Sequence, residues 1–193
     1  MPLQASYGLR KVEAKVLGIY VMDPFGIGLS SSTFSRILKT GEPYVAKYFQ
    51  LLLKPEVVEA KKKGFKIVVG GPGAWQLKLR KTSTQHGIDC IIEGEAENII
   101  TEIFRKAIEG EELPRFHEVD LKDSPNLDEI PEIKNPSING LIEIGRGCDF
   151  SSTTFRPLCW YPYEKIENEL EVNVNAGIDC AIVHAEDVLL YGL

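Results

Sequence analysis

Short apolar runs alternate with longer segments of helical spacing in the first part of the chain, and this alternation restricts the fold more than any other feature. The apolar runs are Val16 to Met22, Lys66 to Gly70 and Gly87 to Glu93. Apolar residues recur at helical intervals from Pro43 to Lys63 and from Glu95 to Ile108. Strands that alternate with helices form βαβ units, which build a parallel sheet through right-handed crossovers. The pattern therefore predicts an α/β domain in which helices flank a parallel sheet of three or four strands.

Turns of small residues follow each of these runs. Glycine-rich turns lie at 70–73 and 93–95, and a loop of glycine, serine and threonine lies at 23–33. In parallel sheets ligands bind at the carboxyl ends of the strands, which is where all three turns fall. Glycine there lets a ligand approach the backbone closely. Two readings of the turns stay open, namely a ligand-binding edge and ordinary strand-to-helix geometry.

The remainder of the chain has a different organisation. Residues 111–139 are rich in Pro, Asp and Glu and are interpreted as a linker or strap between a domain at 1–110 and a second region at 140–193. That second region has a strand at 140–144, a helix from Tyr163 to Ala176 and a strand at 180–184. One βα unit and the next strand cannot bury both faces. We therefore expect this unit to dock on the first domain or on another subunit, with a homodimer as one result.

Composition and charge limit the classes of function. A net charge of −6 argues against nucleic-acid binding, and 44% hydrophobic residues are enough for a core. No apolar run approaches the ~20 residues that span a bilayer, so no membrane segment is expected. The amino-terminal residues lack a basic stretch followed by an apolar core, so they do not resemble a signal peptide. We expect a cytoplasmic protein.

The four cysteines do not form a CxxC pair. Cys90 and Cys180 both follow Ile-Asp and precede apolar residues, so we interpret them as buried small hydrophobic side chains. Cys159 lies beside Trp160 in an aromatic segment. Only Cys148 lies in a glycine-rich loop, and this context favours a chemical role.

Three motifs occur in order along the chain. They are Val69-Gly-Gly-Pro-Gly-Ala-Trp-Gln76, Ile91-Ile-Glu-Gly-Glu-Ala-Glu97 and Ile142-Glu-Ile-Gly-Arg-Gly-Cys148. Together with Asp-Glu-Ile-Pro-Glu-Ile at 128–133, they make the chain resemble the cobalamin-binding radical S-adenosylmethionine proteins, particularly archaeal ones, from Tyr7 to Gly192. The resemblance implies a Rossmann-like domain that holds cobalamin at the carboxyl ends of its strands. It also implies that the second region is a fragment of a radical-SAM-type (βα) barrel.

The resemblance points to a set of cofactor-facing residues on the strand ends and turns of the first domain. They are Met22, Asp23, Gly26, Gly28, Ser30, Ser31, Thr33, Gly70, Gly71, Pro72, Gly73, Glu93, Gly94 and Glu95. Hydroxyl groups at 30–33 can bond the amide side chains of cobalamin. The sequence contains no Asp-x-His-x-x-Gly, so it offers no histidine to ligate cobalt from below. His86 is interpreted as an ordinary turn histidine.

In this family three cysteines hold a four-iron–four-sulfur cluster, and the remaining iron site binds S-adenosylmethionine. Residues 144, 148 and 151 have the CxxxCxxC spacing, but Ile144 and Ser151 stand where thiolates belong. Cys148 is thus the one candidate metal ligand, and one thiolate cannot hold a cluster. The resemblance also places Glu186 where the family faces S-adenosylmethionine.

These features predict a degenerate, non-catalytic relative with no catalytic residue assigned, and retained binding of cobalamin or a nucleotide-like ligand is one reading of it. Three alternatives stay open. The first is a working radical SAM or iron–sulfur enzyme, methyltransferase-like, if the chain is a fragment. The second is a remnant that serves protein–protein contact. The third is an unrelated hydrolase or transferase that uses Glu186 and Asp187, which follow a strand end.

Overall fold

The computed structural model describes residues 14–52, 57, 59, 61–80, 87–147, 156–185 and 188–191. The chain divides into two compact units, Met1–Val119 and Asp120–Leu193. The division falls inside the 111–139 segment that the sequence assigns to a linker. None of the helices in the described part of the chain is long and apolar enough to cross a membrane.

The first unit contains a four-stranded parallel sheet. Its strands are β1 (Val16–Tyr20), β2 (Lys66–Gly70), β3 (Cys90–Glu93) and β4 (Phe116–Glu118), in the order β1-β2-β3-β4. The strands predicted at 16–22, 66–70 and 87–93 are confirmed. β4 lies in the segment interpreted as a linker, where it pairs in parallel with β3 through Ile91 opposite Phe116 and Glu93 opposite Glu118.

Helices cover both faces of this sheet. They are α1 (Leu29–Leu38), α2 (Tyr44–Leu52), α3 (Ala74–Arg80) and α4 (Ile100–Glu109). On one face Ile67, Val69 and Ile91 pack with residues of α2 and α3. On the other face Val68, Cys90 and Ile92 pack with α4. β2 and β3 are buried on both faces because a parallel sheet is covered by its crossover helices. The first unit is thus an α/β domain of Rossmann-like layering, as predicted.

The connections between the strands depart from the prediction in one respect. The connections through α3 and through α4 advance in the same direction across the sheet but cover opposite faces. Two such connections have opposite hands, so the predicted right-handed crossover is wrong for one of them. The strand order follows the chain order within the described sheet, without the reversal at which doubly wound folds form their ligand crevice.

The second unit contains the predicted βαβ arrangement. β5 (Leu141–Glu143) pairs in parallel with β8 (Ile182–His184), and α5 (Tyr163–Asn175) lies between them in the chain. A short antiparallel pair, β6 (Gly145–Arg146) with β7 (Cys159–Trp160), follows β5. Short 3-10 helices occupy Leu121–Asp123, Ile138–Gly140 and Val188–Leu190.

The two cysteines interpreted as buried differ in the structure. Cys90 is fully buried in β3, and burial, followed by the charge of Asp89, raises the pKa of its thiol to about 11. Cys180 is exposed, so that interpretation is wrong for Cys180. The reason is that Cys180 leads into β8, whose three residues are all exposed.

Residues 130–137 of the proline-rich strap lie along α5 and are held by side chains of that helix. Lys165 Nζ donates to the carbonyl oxygen of Ile130, Asn168 Nδ2 donates to a carboxylate oxygen of Glu132 at 3.2 Å, and Asn173 Oδ1 accepts from the Ser137 N–H at 2.9 Å. Asn173 is almost completely buried. Because polar side chains of α5 satisfy polar groups of the strap, the strap needs few apolar residues to stay in place.

Glu169 lies buried on the same face of α5, and we expect Glu169→Gln to stabilise the second unit. Burial raises the pKa of Glu169, as do Glu132 and Glu143, while the Ile133 N–H and Lys165 oppose the rise. A raised carboxyl pKa gives stability that is complete below the ordinary value of 4.5 and is lost as pH rises through the folded-state pKa. Urea unfolding at pH 7 should show a gain on the order of 1 kcal/mol for the glutamine variant. An equal gain at pH 4 would contradict this explanation.

Candidate functional site

The loop after β1 packs against the glycine turn after β2 at the carboxyl edge of the sheet. The Val21 N–H donates to the Gly70 carbonyl oxygen at 2.8 Å, and the Gly73 N–H donates to the Val21 carbonyl oxygen at 2.9 Å. The sheet pairing of β1 with β2 therefore continues beyond the strands into the turn. This brings together Met22, Asp23, Gly71 and Gly73 of the predicted site.

Asp23 and Gln76 form a buried polar pair that fixes this loop. Asp23 Oδ1 accepts from the N–H groups of Ile27 and Gly28, each at 3.0 Å, and from Gln76 Nε2 at 2.7 Å. Gln76 Oε1 in turn accepts from the Phe25 N–H at 3.1 Å. Gln76 is 1% exposed. One carboxylate and one amide thus satisfy three backbone donors of the loop and join it to α3.

The surroundings of Asp23 also set its protonation. Burial raises the pKa of this carboxyl, but hydrogen bonds from Ser31, Gln76, Gly28 and Ile27 outweigh burial, so the pKa lies below its ordinary value of 3.8. Asp23 is therefore an anion in the neutral pH range. A permanently ionised, fully engaged carboxylate positions the loop and does not act as a proton donor.

Two glycines of the predicted site are explained by packing between backbone segments. A Cβ atom at Gly73 would lie 2.4 Å from the Met22 carbonyl oxygen. Gly94 has φ +102, and a Cβ atom there would lie 2.5 Å from the Val119 carbonyl oxygen. Side chains would separate each turn from the neighbouring segment, so these positions need glycine whether or not a ligand binds. For Gly73 and Gly94 the structure therefore favours the reading as strand-to-helix geometry.

The same edge exposes large apolar side chains. Met22 is exposed in the loop, and Leu29, at the start of α1, is 86% exposed. Tyr20, the last residue of β1, is also exposed, and it is not among the residues predicted from the sequence. Its place at the end of a predicted strand, next to the predicted loop, could have marked Tyr20 as part of the site. Large exposed apolar side chains are a feature of interaction and ligand-binding surfaces.

The serine and threonine residues of the site lie in α1 and not in a loop. Ser32 and Thr33 hydroxyls donate to the Leu29 carbonyl oxygen at 3.1 and 2.7 Å, and Ser31 bonds to Asp23. These hydroxyls thus serve the first turn of the helix, where Ser and Thr readily bond to nearby backbone groups. Ser30 is exposed at the same helix start. Gly26 and Gly28 precede the helix and are half-buried.

The turn after β3 carries acidic residues at the other end of the edge. Lys78 of α3 donates to Glu93 at 3.3 Å and to Glu118 at 2.6 Å, which raises the pKa of Lys78. Glu95 is half-buried, and Pro72 is exposed in the preceding turn. Glu93 is therefore part of an ion pair that joins α3, β3 and β4.

The cluster motif lies largely outside the described residues. The residues of the sequence prediction that lie outside the described residues include Cys148, Ser151, Glu186 and His86. Ile144 is buried between β5 and β6, where its side chain adds to the apolar interior of the second unit. Among the residues that the structure describes, no three His, Cys, Asp or Glu side chains are grouped so as to hold a metal ion. Cys159 Sγ donates to the Pro157 carbonyl oxygen at 3.2 Å within its own strand segment.

Comparisons with protein families, with curated proteins and with solved structures find no match for this chain.

Proposed function

We propose that the first unit binds a corrinoid such as cobalamin, or a ligand of similar size with a nucleotide-like tail, at the carboxyl edge of its sheet. In this proposal the chain is a relative of the cobalamin-dependent radical SAM proteins, the second unit corresponds to part of their barrel, and neither unit catalyses radical chemistry. The single observation that carries the proposal is the loop after β1, which the hydrogen bonds of Asp23 and Gln76 hold in place while Tyr20, Met22 and Leu29 are exposed.

The fit of a corrinoid rests on the chemistry of this edge. A corrin ring is broad and largely apolar, and its rim bears amides. Exposed Met22 and Leu29 offer apolar contact, and Asp23 with Gln76 keeps the loop in one conformation before the ligand arrives. A site that is rigid before binding loses little conformational entropy on binding. Cobalamin would bring its cobalt centre, while the protein would supply contact area and orientation.

The residues of the second unit do not fit an iron–sulfur cluster. Of the three positions with the cluster spacing, one is a buried isoleucine and one is a serine, which leaves Cys148 as the one thiol. Cluster iron needs several thiolates on one loop. We therefore derive no reaction step through a cluster or through S-adenosylmethionine, and the proposed activity is binding.

We expect hydroxocobalamin to bind saturably to the full chain at micromolar concentration, measured by calorimetry and by visible absorbance after gel filtration. Leu29→Ser should weaken binding about tenfold, because one large apolar contact is worth roughly 1.5 kcal/mol. Leu189→Ser is the matched control, since Leu189 is 89% exposed in the second unit and Leu29 is 86% exposed at the site. The control should leave the affinity unchanged.

Two results would overturn the proposal. Absence of saturable binding up to about 100 µM would correspond to an affinity too weak for a cofactor site. Binding that Leu29→Ser leaves unchanged would place the ligand elsewhere than this edge.

A further inference from the structure

Helix α1 turns its apolar side away from the protein. Its half-buried residues are the small serines Ser31, Ser32 and Ser35, whereas Phe34, Ile37 and Leu38 are exposed. None of its ten residues is buried. A surface helix normally has the opposite arrangement, with apolar residues inward and polar residues outward. An exposed apolar helix face of this kind marks an interaction surface.

Helix α2 also exposes large apolar side chains. Tyr44 and Tyr48 stack on each other with ring centroids 6.3 Å apart, and both are exposed. Phe34, Ile37, Leu38, Tyr44 and Tyr48 are between 48% and 75% exposed, and we call these five side chains the α1–α2 surface. Large side chains exposed to this extent present about 700 Å² in total, close to the ~800 Å² that one partner contributes to a standard interface.

The charges around the α1–α2 surface select its partner. Residues 29–52 contain the cations Arg36, Lys39 and Lys47, and Glu42 is their one carboxylate, whereas the whole chain has a net charge of −6. Glu42 Oε1 accepts a hydrogen bond from Gln50 Nε2 at 2.5 Å. Two α1–α2 surfaces facing each other would bring like charges together, which disfavours that pairing. The surface therefore suits an apolar helix flanked by carboxylates.

Helix α5 has this chemistry on its outer side. Tyr163, Leu170 and Val174 are exposed and recur at intervals of seven and four residues, which is the spacing of a helix-packing stripe. Carboxylates border the stripe at the exposed positions Glu164, Glu167 and Glu171. The one cation of the helix, Lys165, is turned inward, with Nζ 4.6 Å from the Tyr161 ring centroid and bonded to the Ile130 carbonyl oxygen.

We propose that two copies of the chain associate through the α1–α2 surface of one copy and the outer side of α5 of the other. Made reciprocally, the contact occurs twice in a closed dimer, as is usual for homo-oligomers. Apolar burial supplies the affinity. Attraction between the cations of one copy and the carboxylates of the other determines which surfaces pair. Association of two copies is a separate property from ligand binding at the sheet edge. The residues substituted to test it differ from those substituted to test ligand binding.

Charge reversal gives a test in which two defective proteins restore each other. The first variant carries Arg36→Glu and Lys47→Glu, and the second carries Glu167→Lys and Glu171→Lys. The wild-type chain should have twice the 21.5 kDa chain mass by light scattering after gel filtration. Each variant alone should dissociate, with affinity lowered at least about 100-fold by like-charge repulsion. An equal mixture of the two should recover the dimer, because both contacts then join opposite charges.

An apolar variant tests the surface without a change of charge. Ile37→Ser should abolish association, because Ile37 is 71% exposed at the centre of the outer side of α1. Ile138→Ser is the matched control, since Ile138 is 85% exposed in the second unit and outside both proposed surfaces. Circular dichroism should show both variants folded. A monomeric wild-type chain, or a mixture of charge variants that stays monomeric, would overturn the proposal.

Discussion

Gly73→Ala is expected to lower the free energy of unfolding of the first unit by about 3 kcal/mol, at the upper end of the range for overpacking. The added Cβ atom would lie 2.4 Å from the Met22 carbonyl oxygen and 2.6 Å from Pro24 Cδ. Backbone atoms and a proline ring cannot rotate away as a long side chain can. The loop after β1 must therefore move, which breaks the hydrogen bond from the Gly73 N–H to the Val21 carbonyl oxygen.

Two other glycines give comparisons for this prediction. A Cβ atom at Gly70 would find ordinary contacts, the nearest being the Ile92 carbonyl oxygen at 3.7 Å, so Gly70→Ala should change stability by less than about 1 kcal/mol. Gly41 has φ +81 and open space around it, so Gly41→Ala measures backbone strain without a clash, at about 1 kcal/mol.

Urea unfolding followed by the fluorescence of Trp75, in a Trp160→Phe background, reports on the first unit alone. Equal effects of Gly73→Ala and Gly70→Ala would show that the loop after β1 does not pack against the turn as the structure has it.

The parts of the fold that the sequence predicts are those with dense local signals. β1, β2 and β3 lie in short apolar runs, and β2 and β3 are buried on both faces, as such runs predict for strands of a parallel sheet. β4 has no such signal, because Phe116-His-Glu118 is three residues long with one apolar member. Its pairing with β3 is a tertiary effect, which local patterns do not contain.

The sequence did not predict helix α1, for a different reason. Its first turns consist of Ser30, Ser31, Ser32 and Thr33, which favour caps and loops over helix interiors. The spacing of Phe34, Ile37 and Leu38 was the helical signal, but it was short. The inward position of the serines could not be inferred, because it contradicts the usual burial rule.

The sequence predicted where the candidate site lies but not the hydrogen bonds within it. Strand ends and glycine turns located the carboxyl edge, since these follow from the βαβ pattern. The bond between Asp23 and Gln76 joins residues 53 positions apart, and nothing local in the sequence marks Gln76 as buried. The sequence predicts a ligand-facing Asp23, whereas in the structure its side chain is buried and its carboxylate bonds to the loop and to Gln76.

Asp23→Ala is expected to lower the free energy of unfolding of the first unit by about 3 kcal/mol, because it leaves buried donors without an acceptor. The N–H groups of Ile27 and Gly28 and the Gln76 Nε2 group would lose their shared partner. A double-mutant cycle with Gln76→Ala should show strong coupling, since the second substitution removes a group that the first has already orphaned.

The pH dependence of the Asp23 contribution has a defined sign. The pKa of Asp23 is lower in the folded chain than its ordinary value of 3.8, so its stabilisation is complete above that value and is lost as pH falls through the folded-state pKa. Asp23→Asn, which keeps the shape but not the charge, should therefore be less stable than the wild-type chain at pH 7 and should approach it in acid. Urea titrations of both proteins at pH 7 and below pH 3 measure this difference. A difference that stays constant over that range would mean that the charge of Asp23 does not hold the loop.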